Sequence, residues 1–114
     1  MTDTIVSRLF TTIQDRKDAD PTTSYVANLH HAGLDKILEK IGEESLELIL
    51  AAKNYQADGL PEAIVSEMAD LWFHSLVLLA HNDLTPQAVF EELNRREGIS
   101  GIEEKQARSL THSE

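Results

Sequence analysis

The sequence predicts an all-α helical bundle, and three features of it do so. Apolar residues recur at three- and four-residue spacing along most of the chain. Aromatic residues make up only 5% of it and β-branched residues are scattered, so strand signals are weak. Residues that start and stop helices fall between the periodic segments. At 114 residues the chain suits one domain, expected over residues 1–108 with a mobile tail at 109–114.

The elements follow in order. A first helix is expected from about Asp3 to Arg16, with Ile5, Val6, Leu9, Phe10 and Ile13 as its apolar stripe. Asp20-Pro21 punctuates the loop that follows. A short helix from Ser24 to His31 turns Tyr25, Val26 and Leu29 inward, and Gly33 suits its C-terminal cap. The longest helix runs from about Leu34 to Tyr55, with Leu34, Ile37, Leu38, Ile41, Leu48 and Ala52 as its buried stripe. Gly42 interrupts it, at a cost of about 0.5–1 kcal/mol relative to Ala; close helix packing is the expected reason.

Pro61 stands where a fourth helix begins, a position that tolerates its missing N–H. This helix reaches about His81, with Ile64, Met68, Leu71, Trp72, Ser75 and Leu79 toward the core. Thr85-Pro86 pairs a capping hydroxyl with Pro at the first helical position and opens a fifth helix to Arg96. Residues 102–107 allow one further turn. The third and fourth helices, joined by a short connection, should pack antiparallel. A core this small is often enlarged by pairing, so a homodimer is expected.

Composition narrows the function. With no cysteine there is no disulfide, thiolate nucleophile or Cys-based zinc site. No stretch reads as a membrane span and the N-terminus lacks a signal-peptide pattern, so a soluble, cytoplasmic protein is expected. Twenty acidic against ten basic side chains give a formal charge of -10. That balance argues against binding a nucleic-acid polymer, which needs a basic surface. An enzyme acting on phosphates would then need divalent cations, which surplus carboxylates can hold. Acidity that serves only solubility is the competing reading.

The informative acids are Glu43, Glu44 and Glu47, an EExxE pattern, and Glu67 and Asp70, an ExxD pattern, with 19 residues between the two. A helix turns by about 100° per residue. Glu44 therefore falls at the edge of the buried stripe, between Ile41 and Leu48, and Glu47 one step further round. On the fourth helix Glu67, Asp70 and His74 file along one flank. Asp70 sits in an otherwise apolar run, where an uncompensated carboxylate would be costly. Two antiparallel helices would aim these acids into one cleft, and crowded carboxylates need cations at neutral pH. Hard oxygen ligands favour Mg²⁺, or Mn²⁺. The chemistry indicated is metal-assisted hydrolysis of a phosphoanhydride. Each motif alone is more often a solvated helix face.

EExxE followed by ExxD on consecutive helices of a small all-α chain resembles the MazG-like nucleotide pyrophosphohydrolase superfamily. The surrounding residues are similar to one family within it, the phosphoribosyl-ATP pyrophosphatases. These are Ser24-Tyr25, Gly33-Leu34-Asp35-Lys36-Ile37, Lys40-Ile41-Gly42-Glu43-Glu44, Ala69-Asp70-Leu71 with His74, and the run from Arg95 to Lys105. The resemblance covers about Leu9 to Arg108. It implies a MazG-like bundle completed by dimerisation, Mg²⁺, and hydrolysis of phosphoribosyl-ATP to phosphoribosyl-AMP and pyrophosphate in histidine biosynthesis. It implies Glu44, Glu47, Glu67 and Asp70 as metal ligands, with Glu43 a further ligand or the base that orients water.

Lys40, Lys36, Ser24, Arg96 and Lys105 are candidate substrate contacts. The competing readings are an i, i+4 ion pair for Lys40 and solvated surface charge for the others. His74 is expected to be a hydrogen-bonded, partly buried histidine rather than a ligand. Three rivals stand beside this reading. They are a related hydrolase of other nucleoside triphosphates, a carboxylate-bridged di-iron bundle, and a non-catalytic acidic scaffold. The di-iron reading is weakened because the chain has no Glu-x-x-His.

Overall fold

The computed structural model describes residues 4–57, 59–97, 105, 106 and 108. It is all-α, with helices α1 (Ile5–Asp15), α2 (Tyr25–Ala32), α3 (Leu34–Ala57), α4 (Pro61–His81) and α5 (Pro86–Arg96). No strand occurs among the described residues. The tail at 109–114 and most of the expected last turn lie outside them, while Lys105, Gln106 and Arg108 are helical and exposed.

Local chemistry sets the helix ends. The hydroxyls of Thr4, Ser24 and Thr85 accept from the backbone N–H groups of Ser7, Ala27 and Ala88, satisfying donors left free in the first turn. Pro61 and Pro86 open α4 and α5 as the sequence predicts. Gly33 ends α2 with φ 105°, a conformation that strains any residue with a Cβ. Gly42 differs from expectation. It is exposed, and a Cβ there would meet nothing within 4 Å, so no close packing within this chain accounts for it.

The central unit is the α3–α4 hairpin, against which α1 and α2 pack, with α5 lying on α1. The core gathers at one end of the hairpin. It joins Phe10 and Ile13 of α1, Val26 and Leu29 of α2, Ile37 of α3, and Leu76, Val77 and Ala80 of α4. Ile13, Leu29, Ile37 and Val77 are fully enclosed. Each contributes roughly 1.5–3 kcal/mol through removal of apolar area from water.

The other end of the hairpin leaves apolar stripes open. Leu46, Ile49 and Leu50 on α3 and Val65, Met68 and Trp72 on α4 are exposed, Trp72 at 58%. Periodicity places Met68 and Trp72, and on α3 Leu34, Leu38 and Ala52, toward the core; the structure leaves all five exposed. Ile5 and Tyr25 are likewise more open than predicted. The core face of α4 carries His74, Val77 and Ala80 instead. The physical reason is that periodicity marks a face that avoids water without saying what covers it. The composition of α4 also corrects the membrane expectation. Pro61–His81 is long and apolar enough to cross a membrane, but here it packs against α1, α2 and α3.

The C-terminal ends of α2 and α4 meet at two histidines. His30 Nδ1 and His81 Nδ1 lie 3.1 Å apart in rings tilted by only 13°, so one imidazole donates to the other. Lys17 Nζ donates to the Ala80 carbonyl at 2.9 Å, satisfying an acceptor at the end of α4. Burial, then the proximity of His81 and Lys17, holds His30 below its ordinary value of 6.5, against an opposing pull from Asp18. The fold therefore favours neutral His30. That stability is present above the unfolded value and is lost as pH falls below it toward the folded one. The melting temperature should drop between about pH 7.5 and about pH 5.5, and the drop should be smaller in His30→Gln. Thermal melts across that range check this; equal drops in the two proteins would assign the acid sensitivity elsewhere.

Candidate metal and active site

Helix periodicity puts Glu44 and Glu47 one turn apart on α3, and Glu67 and Asp70 one turn apart on α4. The hairpin brings the pairs together. One carboxylate oxygen from each of Glu44, Glu67 and Asp70 lies within 4.8 Å of the other two. Glu47 stands within hydrogen-bonding reach of Glu67. Glu47 thus meets Glu67 while Glu44 meets Asp70 and His74, which is the register of antiparallel helices.

Burial differs across the cluster. Glu44 is 7% exposed, Glu67 is intermediate, and Glu47 and Asp70 are open. Asp70 therefore does not carry the burial cost that its apolar neighbours in sequence suggest. The deep carboxylate is Glu44. Its Oε2, and Oε1 of Glu67, are buried atoms with no hydrogen-bond partner. Burial, then the charge and hydrogen-bonding reach of Glu47, then Glu44 and Asp70, push the Glu67 carboxyl above the usual carboxylate range. Orphaned carboxylate oxygens are costly unless a proton or a cation meets them. An all-oxygen, carboxylate-rich donor set fits a hard divalent cation.

The other candidates are placed around this cluster or away from it. Glu43 is outside the three-oxygen group, its carboxylate 3.2 Å from Lys40 Nζ. Lys40 is thereby tied to Glu43 rather than Glu44. Its ammonium is held above the ordinary lysine range, first by the hydrogen bond to Glu43, then by Tyr25. Lys36 pairs with Glu39 at 3.2 Å, and both lysines act electrostatically on Tyr25, which links them to the same flank. The Ser24 hydroxyl is occupied as the α2 cap. Arg96 is engaged by Glu92, whose carboxyl two arginines hold down to about 2. Lys105 is exposed.

His74 is buried and hydrogen-bonded, as the sequence predicts, and Tyr25 reaches it from α2. His74 is 5% exposed. Its Nδ1 lies 2.9 Å from the Asp70 carbonyl, which only accepts, so Nδ1 carries a proton. Its Nε2 is 2.8 Å from the Tyr25 hydroxyl, and Glu44 Oε1 lies 3.9 Å from Nδ1. The spacing of Asp70 and His74 signals the first contact; nothing local signals Tyr25, which arrives from α2. A cavity of about 390 Å³ among Lys17, Asp18, Pro21, His30, His31 and His81 is lined by none of the clustered acids.

The family model for phosphoribosyl-ATP pyrophosphohydrolase matches residues 6–97, which include every clustered acid. The chain belongs to this family. It is 52% identical over 113 residues to proteins named phosphoribosyl-ATP pyrophosphatase from Burkholderia cenocepacia (strain HI2424), Burkholderia vietnamiensis (strain G4 / LMG 22486) and Burkholderia ambifaria (strain MC40-6). Each match covers 99% of this chain and 93% of the relative. Family membership and an acidic cluster with orphaned oxygens agree on divalent-cation chemistry.

Crowded acids should destabilise the cation-free protein, since like charges held together disfavour the ionised forms. Glu67→Gln should raise its melting temperature in chelator at neutral pH. Wild type should gain stability on adding Mg²⁺ and Glu67→Gln should gain far less, since only binding to the folded state stabilises it. Thermal melts with and without Mg²⁺ check both; a wild type indifferent to Mg²⁺ would remove the cation from the site.

Proposed function

We propose that this chain is a phosphoribosyl-ATP pyrophosphohydrolase, converting phosphoribosyl-ATP to phosphoribosyl-AMP and pyrophosphate in the second step of histidine biosynthesis. The observation that carries the reading is the convergence of Glu44, Glu67 and Asp70, with Glu47 beside them, in a member of this family. Water attacks the α–β phosphoanhydride, its oxygen joins phosphorus, and pyrophosphate leaves.

In this reading Glu44, Glu47, Glu67 and Asp70 hold Mg²⁺, for which Mn²⁺ can substitute. Bound there, the cation would neutralise phosphate oxygens and lower the pKa of the attacking water. Glu47 is assigned to orient and deprotonate that water, because it stands at the open edge of the cluster. Glu43, bridged to Lys40, is assigned to aim the ammonium at a substrate phosphate. Lys36 adds positive charge on the same flank. These cations matter because the chain carries net charge -10 and the substrate is an anion. Arg96, committed to Glu92, has no part in this assignment.

Two copies complete the enzyme in this proposal. The exposed stripes on α3 and α4 repeat at i, i+3 and i+4 spacing, as a buried helix–helix seam does. A second copy of the chain covers them, extending the hairpin into a bundle. The site operates in the cytoplasm, where soluble nucleotide substrates reside.

Purified protein with Mg²⁺ should release pyrophosphate from phosphoribosyl-ATP in preference to ordinary nucleoside triphosphates. Glu44→Gln should lose at least about a hundred-fold in turnover, the scale felt when a group that stabilises transition-state charge is removed. Preference for the triphosphates would end the histidine-pathway assignment, and an unimpaired Glu44→Gln would move the site. Trp72→Glu should halve the solution mass measured by light scattering; an unchanged mass would place the contact between copies elsewhere.

A further inference from the structure

We infer that Tyr25 and His74 are positioning residues for the cation site, joined to it through the Asp70 carbonyl and the buried Glu44 carboxylate. The inference rests on the proposed cation site and goes beyond its ligand set. The Tyr25 hydroxyl donates to His74 Nε2 at 2.8 Å, and His74 Nδ1 donates to the Asp70 carbonyl at 2.9 Å. One chain of hydrogen bonds thus runs from the first residue of α2 to the backbone of a clustered acid on α4.

The ring has little freedom. It is almost fully enclosed, with Tyr25 and Phe73 both meeting it edge-on, at 5.8 and 5.1 Å between centroids. Both of its nitrogens are engaged, which fixes the rotation of the imidazole as well as its depth. The consequence falls on Glu44. Its Oε1 lies 3.9 Å from Nδ1, beyond hydrogen-bonding distance, and its Oε2 has no partner. The Asp70 carbonyl draws the Nδ1 proton that would otherwise turn to Glu44. His74 therefore walls the deep carboxylate in place without using its lone pairs, leaving them for a cation. Tyr25 keeps the wall from rotating. The Tyr25 ring is itself held by stacking at 6.1 Å on Phe73.

Mn²⁺ binding to the full chain without nucleotide, followed by electron paramagnetic resonance, tests this. Wild type and Glu44→Gln establish the parent site: wild type should bind and Glu44→Gln should not. Tyr25→Phe, which removes one oxygen atom, should bind Mn²⁺ about ten-fold more weakly, as loss of a group that orients ligands usually does. His74→Asn, whose amide nitrogen can stand where Nδ1 stands, should bind more tightly than His74→Ala. A Tyr25→Phe protein that binds Mn²⁺ as wild type does overturns the inference, whatever its KM or melting temperature. That outcome would leave Tyr25 as a substrate contact or a packing residue. A wild type that binds no Mn²⁺, or a Glu44→Gln that binds it equally well, overturns the cation site itself. The two failures are therefore distinct.

Discussion

Like charges forced together are the constraint around which this molecule is arranged. Carboxylate oxygens of Glu44, Glu67 and Asp70 lie within 4.8 Å of one another, and Glu47 reaches Glu67. Water would ordinarily screen such a group, but Oε2 of Glu44 and Oε1 of Glu67 are cut off from solvent. A cluster of that kind opposes folding unless protons or cations enter it. The rest of the fold keeps it assembled. The α3–α4 hairpin sets the register, and a core of Ile37 and Val77 beside it holds the two helices at fixed separation.

The two histidine contacts on α4 show how differently one residue type serves two ends of a helix. His74 and His81 lie seven residues apart, near two turns, and so on one face. Both link α4 to α2, one through the Tyr25 hydroxyl and the other through the His30 ring. The short α2 helix is therefore bolted to α4 at both ends, although its length alone would leave it unstable in isolation. At the His30 end the link should weaken in acid, because a second proton cannot be accommodated between facing nitrogens 3.1 Å apart. At the His74 end the carbonyl of Asp70 settles where the ring proton lies.

Helix number, order and type were legible in the sequence because local chemistry specifies them. Thr85-Pro86, Pro61 and Gly33 mark ends through hydroxyl capping, a missing N–H and a left-handed φ, all of which act within a few residues. The depth of Glu44 was legible too, since position between Ile41 and Leu48 on a helix follows from angle alone. Asp70 was misjudged because apolar neighbours in sequence do not mark a buried stretch: Met68 and Trp72 are exposed too, on another face of α4. Gly42 was misjudged because a small residue signals a close approach only when something approaches. Tyr25 was invisible as a partner of His74: 49 residues separate them, and no periodicity spans that gap.

Those outward apolar residues bear on assembly, and the helical turn sets them apart from the acids. Leu46 and Met68 neighbour Glu47 and Glu67 in sequence, but at about 100° per residue the open stripes lie on the opposite faces of α3 and α4 from the clustered acids. A second copy covering Leu46, Ile49, Met68 and Trp72 would bury apolar area on the far faces of both helices, away from the cluster. The single chain has the acids in place without a second copy, and covering the stripes would remedy its exposed hydrophobic surface.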